Sequence, residues 1–400
     1  MSPVITSYMH NAFKQTARSG PSVMTADYWL LGSSLALLII GLIMVGSASV
    51  SIAESKLGEP FYFLWRQLLF TGIGLLTAFI VIRIPMTFWQ EIGPALVIIS
   101  LLLLVMVFVP GLGKEVNGST RWIVMGSFNL QASEFVKLFM VLYLAGYLVR
   151  HNEAVRQSAG GFLRPLALLM VVMLLLLLEP DFGAAAVLIC TAMAMIWLAG
   201  VRISQFLLLI IVVSIALALL VYSSEYRMQR LTAFLNPWAD PFNSGFQLTQ
   251  ALIAFGRGEW LGVGLGGSVQ KLFYLPEAHT DFLFAVMAEE LGLLGVLLVI
   301  GLFTILIYRA IKIGRNAENR ERPFSGYVAY GLGIWIGLQA FINIGVNMGV
   351  LPTKGLTLPF MSYGGSSILV MCIVIAMLVR IDYETRKEDR VVQRKGDKVW

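Results

Sequence analysis

The chain has 400 residues, 58% of them hydrophobic and only 13% charged, with a formal net charge of +6 and a mean hydropathy of +0.80. A soluble protein of this size needs roughly a quarter of its residues charged to cover its surface, so an ordinary soluble enzyme is excluded. The apolar residues fall instead in blocks of about twenty, the length that crosses ~30 Å of hydrocarbon as a helix.

Residues 1–27 are polar and carry Lys14 and Arg18. The first apolar block, Tyr28 to Val50, is too long for a signal-peptide core and has no convincing small-residue cleavage site, so it reads as the first span. Further spans are expected near 62–82, 89–110, 132–150, 163–179, 182–200, 203–222, 282–308, 327–350 and 363–381. Helices are the expected form, because backbone polar groups must be satisfied within lipid and the blocks lack β-barrel alternation. The fold class is therefore an all-α, polytopic membrane bundle of about ten spans (28–382), with a cytoplasmic N-terminal segment (1–27) and a basic tail (383–400). Cys190 and Cys372 fall inside apolar blocks and read as small packing residues, with no disulfide framework.

An even span count puts both termini on one side. With that side cytoplasmic, 19 of the 29 basic residues lie inside and eight outside, while Arg66 and Lys137 fall within spans. The basic tail then reads as an orientation signal in contact with anionic lipid, and no nucleic-acid partner is expected. Residues 223–281 form a large outer loop between spans 7 and 8. It is too rich in Trp, Phe and Leu for a disordered linker. Within it, Gly245 to Phe255 reads as a short amphipathic helix on the membrane surface or over a cavity, followed by a glycine run from Gly256 to Gly267.

The polar residues that stand against this apolar background gather at the outer face. Tyr274 to Gly292 (YLPEAHTDFLFAVMAEELG) places Glu277, His279 and Asp281 where the long loop re-enters the membrane. A carboxylate and an imidazole there suit acid–base work on a substrate whose tail lies in lipid, while the plainer reading of Asp281 is an N-cap of the next helix. Glu289 and Glu290 lie about 12 Å further along that helix and are expected to face the bundle interior or a water-filled cavity. Glu134 and Lys137 share a helix face at i, i+3 within the fourth span and can pair. Arg66 either snorkels outward or points into a cavity as an anion clamp. Arg121, Lys271 and Lys354 add positive charge on the same side. Glu179 and Asp181 flank Pro180 in a short turn. The stretch from Asn343 to Ser367 sets Asn343 and Asn347 on one helix face and adds the hydroxyls of Ser362, Tyr363, Ser366 and Ser367 in a rigid loop, a plausible substrate rim. Together these residues describe an outward-opening cavity suited to an anionic, lipid-linked substrate with a polar head.

Several of these stretches resemble a known family. The segment from Asn236 (NPWADPFNSGFQLTQ) through LPEAHTDFLFAVMAEELG, together with GVLPTKGLTLPFMSYGGSS, NGSTRWI, SEFVKL and EPDFG, is similar to the shape, elongation, division and sporulation (SEDS) glycosyltransferases over residues 28–382. The long loop is most like the division-associated branch. Ala132 departs from the family, which usually has Pro before Ser-Glu.

The resemblance implies a peptidoglycan polymerase that uses lipid II at the outer face of the cytoplasmic membrane, at the division septum. It implies Asp281 as the catalytic carboxylate and Arg66, Arg121, Glu134 and Lys137 as conserved charged residues of the substrate site. Lys271, His279, Lys354 and Ser362 are further candidates for substrate contacts. A divalent cation (Mg or Mn) is the implied cofactor, with no organic cofactor. A class B penicillin-binding protein transpeptidase and other divisome membrane proteins are the implied partners. A lipid II flippase and a non-catalytic scaffold for the transpeptidase are the competing readings of the same charges.

Overall fold

In a computed structural model of the chain, described over residues 27–396 except 117, 118, 127 and 354, almost every apolar block is helical. In chain order the helices are α1 (Tyr28–Leu57), α2 (Tyr62–Val81), α3 (Met86–Met106), α4 (Ala132–Arg150), α5 (Asn152–Gln157), α6 (Ala159–Leu178), α7 (Phe182–Leu198), α8 (Ile203–Tyr222), α9 (Glu225–Leu235), α10 (Phe246–Gly258), α11 (Leu283–Glu318), α12 (Pro323–Asn347) and α13 (Gly365–Gly396). Among the described residues, eight helices are long and apolar enough to cross a membrane. Two shorter apolar stretches, Phe182–Leu198 and Ile203–Ala216, stand at the positions of the other two expected spans. The protein is a multi-pass membrane protein.

Packing sorts the helices by sequence. α4, α12 and α13 are buried over most of their apolar length, whereas α2, α3, α6 and the outward side of α11 leave rows of Leu, Ile and Phe exposed, the surface that lipid covers. α11 packs along α12 and α1, α13 against α2, and α4 against α3. Small residues allow the close approaches. A Cβ on Gly41 would stand 2.5 Å from the Met361 Cα, and one on Gly314 would stand 2.7 Å from the Tyr330 ring.

Outside the helices, the segment between α3 and α4 folds into a three-stranded antiparallel sheet, with β1 (Gly113–Val116), β2 (Ser119–Met125) and β3 (Phe128–Gln131) in the order β1-β2-β3. The register pairs Trp122 with Gln131 and Val124 with Asn129. This sheet, like the short helices α5 and α9, was not announced by the hydropathy pattern. Its strands are only four to seven residues long, too short for alternation to stand out.

The long loop is ordered around the broken start of α11. That helix is interrupted at Gly292 (φ 65°, ψ −166°). The main-chain groups around the break bond to the loop instead. Val263 N donates to Glu289 O and Gly264 N to Glu290 O, while Leu293 N and Leu294 N donate to Glu259 O and Trp260 O. Glycine makes this approach feasible. A Cβ on Gly262 (φ +77°) would lie 2.1 Å from Glu290 O. The amphipathic helix expected at Gly245 to Phe255 is α10, and it lays Leu248, Ala251 and Ala254 against α11.

Candidate active site

A cavity of about 1200 Å³ opens among the β-sheet, the α6–α7 turn, the long loop and the segment before α13. Of the sequence candidates, Arg66, Arg121, Glu134 and Asp281 line it, with Lys114, Asp181, Arg227, Arg230, Glu277 and Tyr363 beside them. These side chains come from α2, β1, β2, α4, α9 and three connecting segments, so the site exists only in the assembled bundle.

Asp281 is held by its main chain and left open at its carboxylate. Asn343 Nδ2 and Asn347 Nδ2 donate to the Asp281 carbonyl oxygen at 2.9 and 3.0 Å, and Asn347 Oδ1 accepts from Ala285 N at 3.0 Å. The Glu277 carbonyl accepts from Thr280 N and Phe282 N just before the helix. The N-cap position of α11 is Phe282, which makes no side-chain capping bond. Among the described residues, no hydrogen bond reaches the Asp281 carboxylate. The capping reading of this residue therefore does not hold. Asp181 is the counter-example: its Oδ1 accepts from Ala184 N at 3.2 Å as the cap of α7, and its Oδ2 accepts from Ser133 Oγ at 2.8 Å.

The surrounding protein raises the Asp281 carboxyl to about 7. Removal from bulk water is the main cause and the Glu277 charge adds to it, while Arg121 and Arg230 pull the other way. The side chain is partly open to the cavity, so water there tempers the shift. The close wall opposite the carboxylate is Gly355, where a Cβ would stand 2.9 Å from Asp281 Oδ2.

The cations hold distinct positions. Arg121 donates through Nε to Glu179 O at 3.4 Å and through Nη2 to Pro180 O at 2.5 Å, which fixes β2 on the α6–α7 turn. Arg66 donates to Tyr62 Oη at 2.8 Å and lies over the Tyr62 and Phe70 rings. Lys137, 1% exposed, donates to Glu134 Oε1 at 2.8 Å and Gln339 Oε1 at 2.7 Å, with the Trp335 ring 5.0 Å away. Glu134 Oε2 is buried without a hydrogen-bond partner among the described residues. Gln339 continues the network, since its Nε2 donates to Thr357 O at 3.0 Å in the cavity wall. Gln339 and Trp335 escaped the sequence reading, although their i, i+4 spacing in α12 was visible.

The other candidates sit elsewhere. Lys271 is paired with Glu290 at 2.7 Å and donates to Ser47 Oγ at 2.9 Å, away from the cavity. Glu289, fully buried, accepts from Arg257 Nη1 at 2.9 Å, Ser268 Oγ and Val269 N. These two acids thus face the folded loop and not open water. His279 lies between the Phe63 and Tyr363 rings, with centroids 4.7 and 5.7 Å away. Burial, aided by the Lys56 charge, pushes its pKa below the usual value despite the nearby Glu277, so the imidazole is neutral. Ser362 is buried, with Oγ accepting from Leu358 N at 2.8 Å. Lys354 lies outside the described residues.

For a divalent cation, the described residues hold no cluster of three or more His, Cys, Asp or Glu side chains. Mg and Mn ions commonly take one or two carboxylates and complete their shell with water and phosphate oxygens. Glu277, which lines the cavity, fits that mode as the single carboxylate.

Comparison with known proteins assigns the fold. The profile of the FtsW/RodA/SpoVE family, described as cell cycle protein, matches residues 28–387. The chain belongs to this family. A probable peptidoglycan glycosyltransferase FtsW of Nitrosococcus halophilus is 59% identical over 378 residues, covering 94% of this chain and 97% of that protein. One of the same name from Legionella pneumophila is 58% identical, covering 90% and 91%. Among solved structures, a chain of a peptidoglycan synthase complex that coordinates polymerization and crosslinking superposes with a TM-score of 0.75 at 28% identity, covering 90% of this chain and 98% of that one. The rod shape determining protein RodA of Thermus thermophilus superposes at 0.67, also at 28% identity, covering 90% and 98%. The FtsW/RodA/SpoVE membership accounts for the multi-pass bundle.

Proposed function

We propose that the chain is a peptidoglycan glycosyltransferase that polymerises lipid II into β-1,4-linked glycan at the outer face of the cytoplasmic membrane, during septal wall synthesis. The observation that carries this reading is the Asp281 carboxylate. It is fixed through its backbone and, among the described residues, unbonded at its oxygens, and it stands in a large cavity lined by Arg66, Arg121 and Arg230.

In this reading the ionised Asp281 carboxylate takes the proton of the acceptor N-acetylglucosamine 4-hydroxyl. That oxygen bonds to the donor N-acetylmuramic acid anomeric carbon, from the face opposite its diphosphate. The carbon–oxygen bond to diphosphate breaks, its electron pair leaves with the undecaprenyl diphosphate, and the centre inverts. A pKa of about 7 suits the task, because a base near the working pH is both ionised and basic. Cations facing the cavity stabilise the negative charge that develops on the diphosphate. A Mg or Mn ion held by Glu277 would supply further positive charge there and leave the Asp281 carboxylate free to act as the base.

The ten-span count and cytoplasmic termini belong to this proposal, supported by the distribution of basic residues. So does a class B penicillin-binding protein partner with other divisome proteins, supported by the resemblance to a chain of a peptidoglycan synthase complex.

The test supplies purified protein, with and without its cognate transpeptidase, with labelled lipid II and a divalent cation. Glycan is resolved by gel for wild type and Asp281→Ala at matched folding. Polymer from wild type alone supports the proposal. Equal polymer from both removes Asp281 from the mechanism. No polymer from either, with lipid II moved between leaflets of liposomes carrying wild type, replaces the polymerase by a flippase.

A further inference from the structure

Two arginines of the long loop face the cavity and were assigned no role by the sequence. Arg227 and Arg230 stand at i, i+3 on α9, so they share one face of that helix, and both line the cavity. The Arg227 guanidinium lies 4.6 Å from the Phe182 ring centroid, and Arg230 Nη1 donates to Thr353 O at 3.3 Å. Phe182 begins α7, directly after the turn whose carbonyls at 179 and 180 hold Arg121. Arg121 and Arg227 therefore meet at the α6–α7 turn, while Arg230, on the same helix face as Arg227, is fastened to the Thr353 segment that borders the same cavity. Arg66 belongs to a different wall, with Tyr62 and Phe70. Arg230 is fastened to Thr353, two residues before Gly355, whose Cβ position would lie 2.9 Å from the Asp281 carboxylate.

Polymerising lipid II requires two polyprenyl diphosphates at once. The donor's diphosphate is bonded to the carbon under attack. The acceptor's lies at the far end of its disaccharide from the reacting hydroxyl. Cations near the base therefore serve the donor, and cations further away serve the acceptor. We infer that Arg227 and Arg230, with Arg121, form a clamp for the donor's diphosphate leaving group, separate from an acceptor-side anion site at Arg66. The donor assignment rests on the polymerase reading, whereas the clamp as a diphosphate site stands on the arginine geometry. Paired guanidinium groups suit this ligand, because each presents a planar fork of donors to phosphate oxygens.

The experiment measures binding of farnesyl diphosphate, a short polyprenyl diphosphate, to the purified full-length protein, with farnesol as the uncharged control. Variants are R227Q/R230Q, the charge-preserving R227K/R230K, and R66Q, each checked for folding by its thermal transition. Loss of one charge-assisted contact corresponds to about tenfold in affinity. Folded R227Q/R230Q should bind the diphosphate at least that much more weakly, with farnesol unchanged and R227K/R230K in between. If R227Q/R230Q does not fold, the single variants R227Q and R230Q carry the same comparison. With labelled lipid II, the glutamine variants should lower kcat and leave KM near wild type, and R66Q should raise KM.

Unchanged diphosphate affinity in the folded glutamine variants would overturn the clamp, and the two arginines would then only fasten α9. Weakened affinity with KM raised and kcat intact would overturn the donor assignment. If wild type binds diphosphate through these arginines but makes no polymer with its partner, the clamp stands and the polymerase reading falls.

Discussion

Asn347 donates to the main-chain oxygen of Asp281 at 3.0 Å and accepts from Ala285 N at 3.0 Å, so one amide side chain ties the reactive loop to the first turn of α11. Its Nδ2 also reaches Asn343 O, and Asn343 Nδ2 bonds to Asp281 O and Leu356 O. Both amides are buried. Truncation strands polar groups at a cost of about 1–3 kcal/mol each. Asn347→Ala and Asn343→Ala should therefore lower the thermal midpoint and cut kcat about tenfold or more, with KM for lipid II nearly unchanged. Steady-state kinetics on the folded variants decides this, and a rise in KM at constant kcat would mean that the amides bind substrate directly.

The raised pKa of Asp281, about 7, sets the direction of two pH effects. Catalysis needs the ionised base, so kcat/KM should fall as pH drops through 7. Stability runs the opposite way. Between the ordinary carboxyl value and 7 the folded state holds a proton that the unfolded state has lost, so this group's contribution to stability declines as pH rises across that window. Asp281→Asn should be inactive yet melt higher than wild type at pH 8, with the difference shrinking at pH 5. Glu179, whose carboxyl is raised to about 9 by burial first and by Asp181 second, contributes a slope of the same sign to both proteins and cancels in the comparison. A lower melting point for Asp281→Asn at pH 8 would contradict the raised pKa.

The membrane helices, and most of the charged residues that line the cavity, were readable in the sequence, because about twenty apolar residues admit one structure in lipid and a charge within or beside them stands out. Sequence alone did not show which charges meet. Lys137 in its span and Lys271 in the outer loop both read as candidate substrate contacts, yet one pairs beside the cavity and the other pins a loop. That distinction depends on Ser47, Gln339 and Glu290, which lie far away in sequence. Arg227 and Arg230 were counted for orientation alone, since the short helix that aims them carried no signal that it would line the cavity.

The Lys271–Glu290 pair makes a separable prediction. Glu290 is fully buried and Lys271 nearly so, and breaking a buried pair from one side costs about 3–5 kcal/mol because the other charge is stranded. Lys271→Met should loosen the segment between Arg257 and Lys271, seen as faster proteolysis there, and reduce polymerisation. Adding Glu290→Gln removes the stranded charge and should restore both protease resistance and most of the activity. Persistent inactivity in the well-folded double variant would return Lys271 to the list of substrate contacts.

The Glu134–Lys137 pair should behave differently, although it is equally buried. Lys137→Met strands Glu134 and is expected to destabilise by a similar amount, about 3–5 kcal/mol. Glu134→Gln in the same chain leaves a neutral amide in a site where Gln339 and Trp335 still supply polar partners, so the thermal midpoint should recover. Activity should not recover, because the Glu134–Lys137 pair stands in the wall of the cavity and its removal takes both charges from beside the substrate. Measuring melting and polymerisation on the same preparations separates the two roles. Recovery of both would reduce the pair to a helix-orienting contact, while recovery of stability alone would place its charge in the reaction.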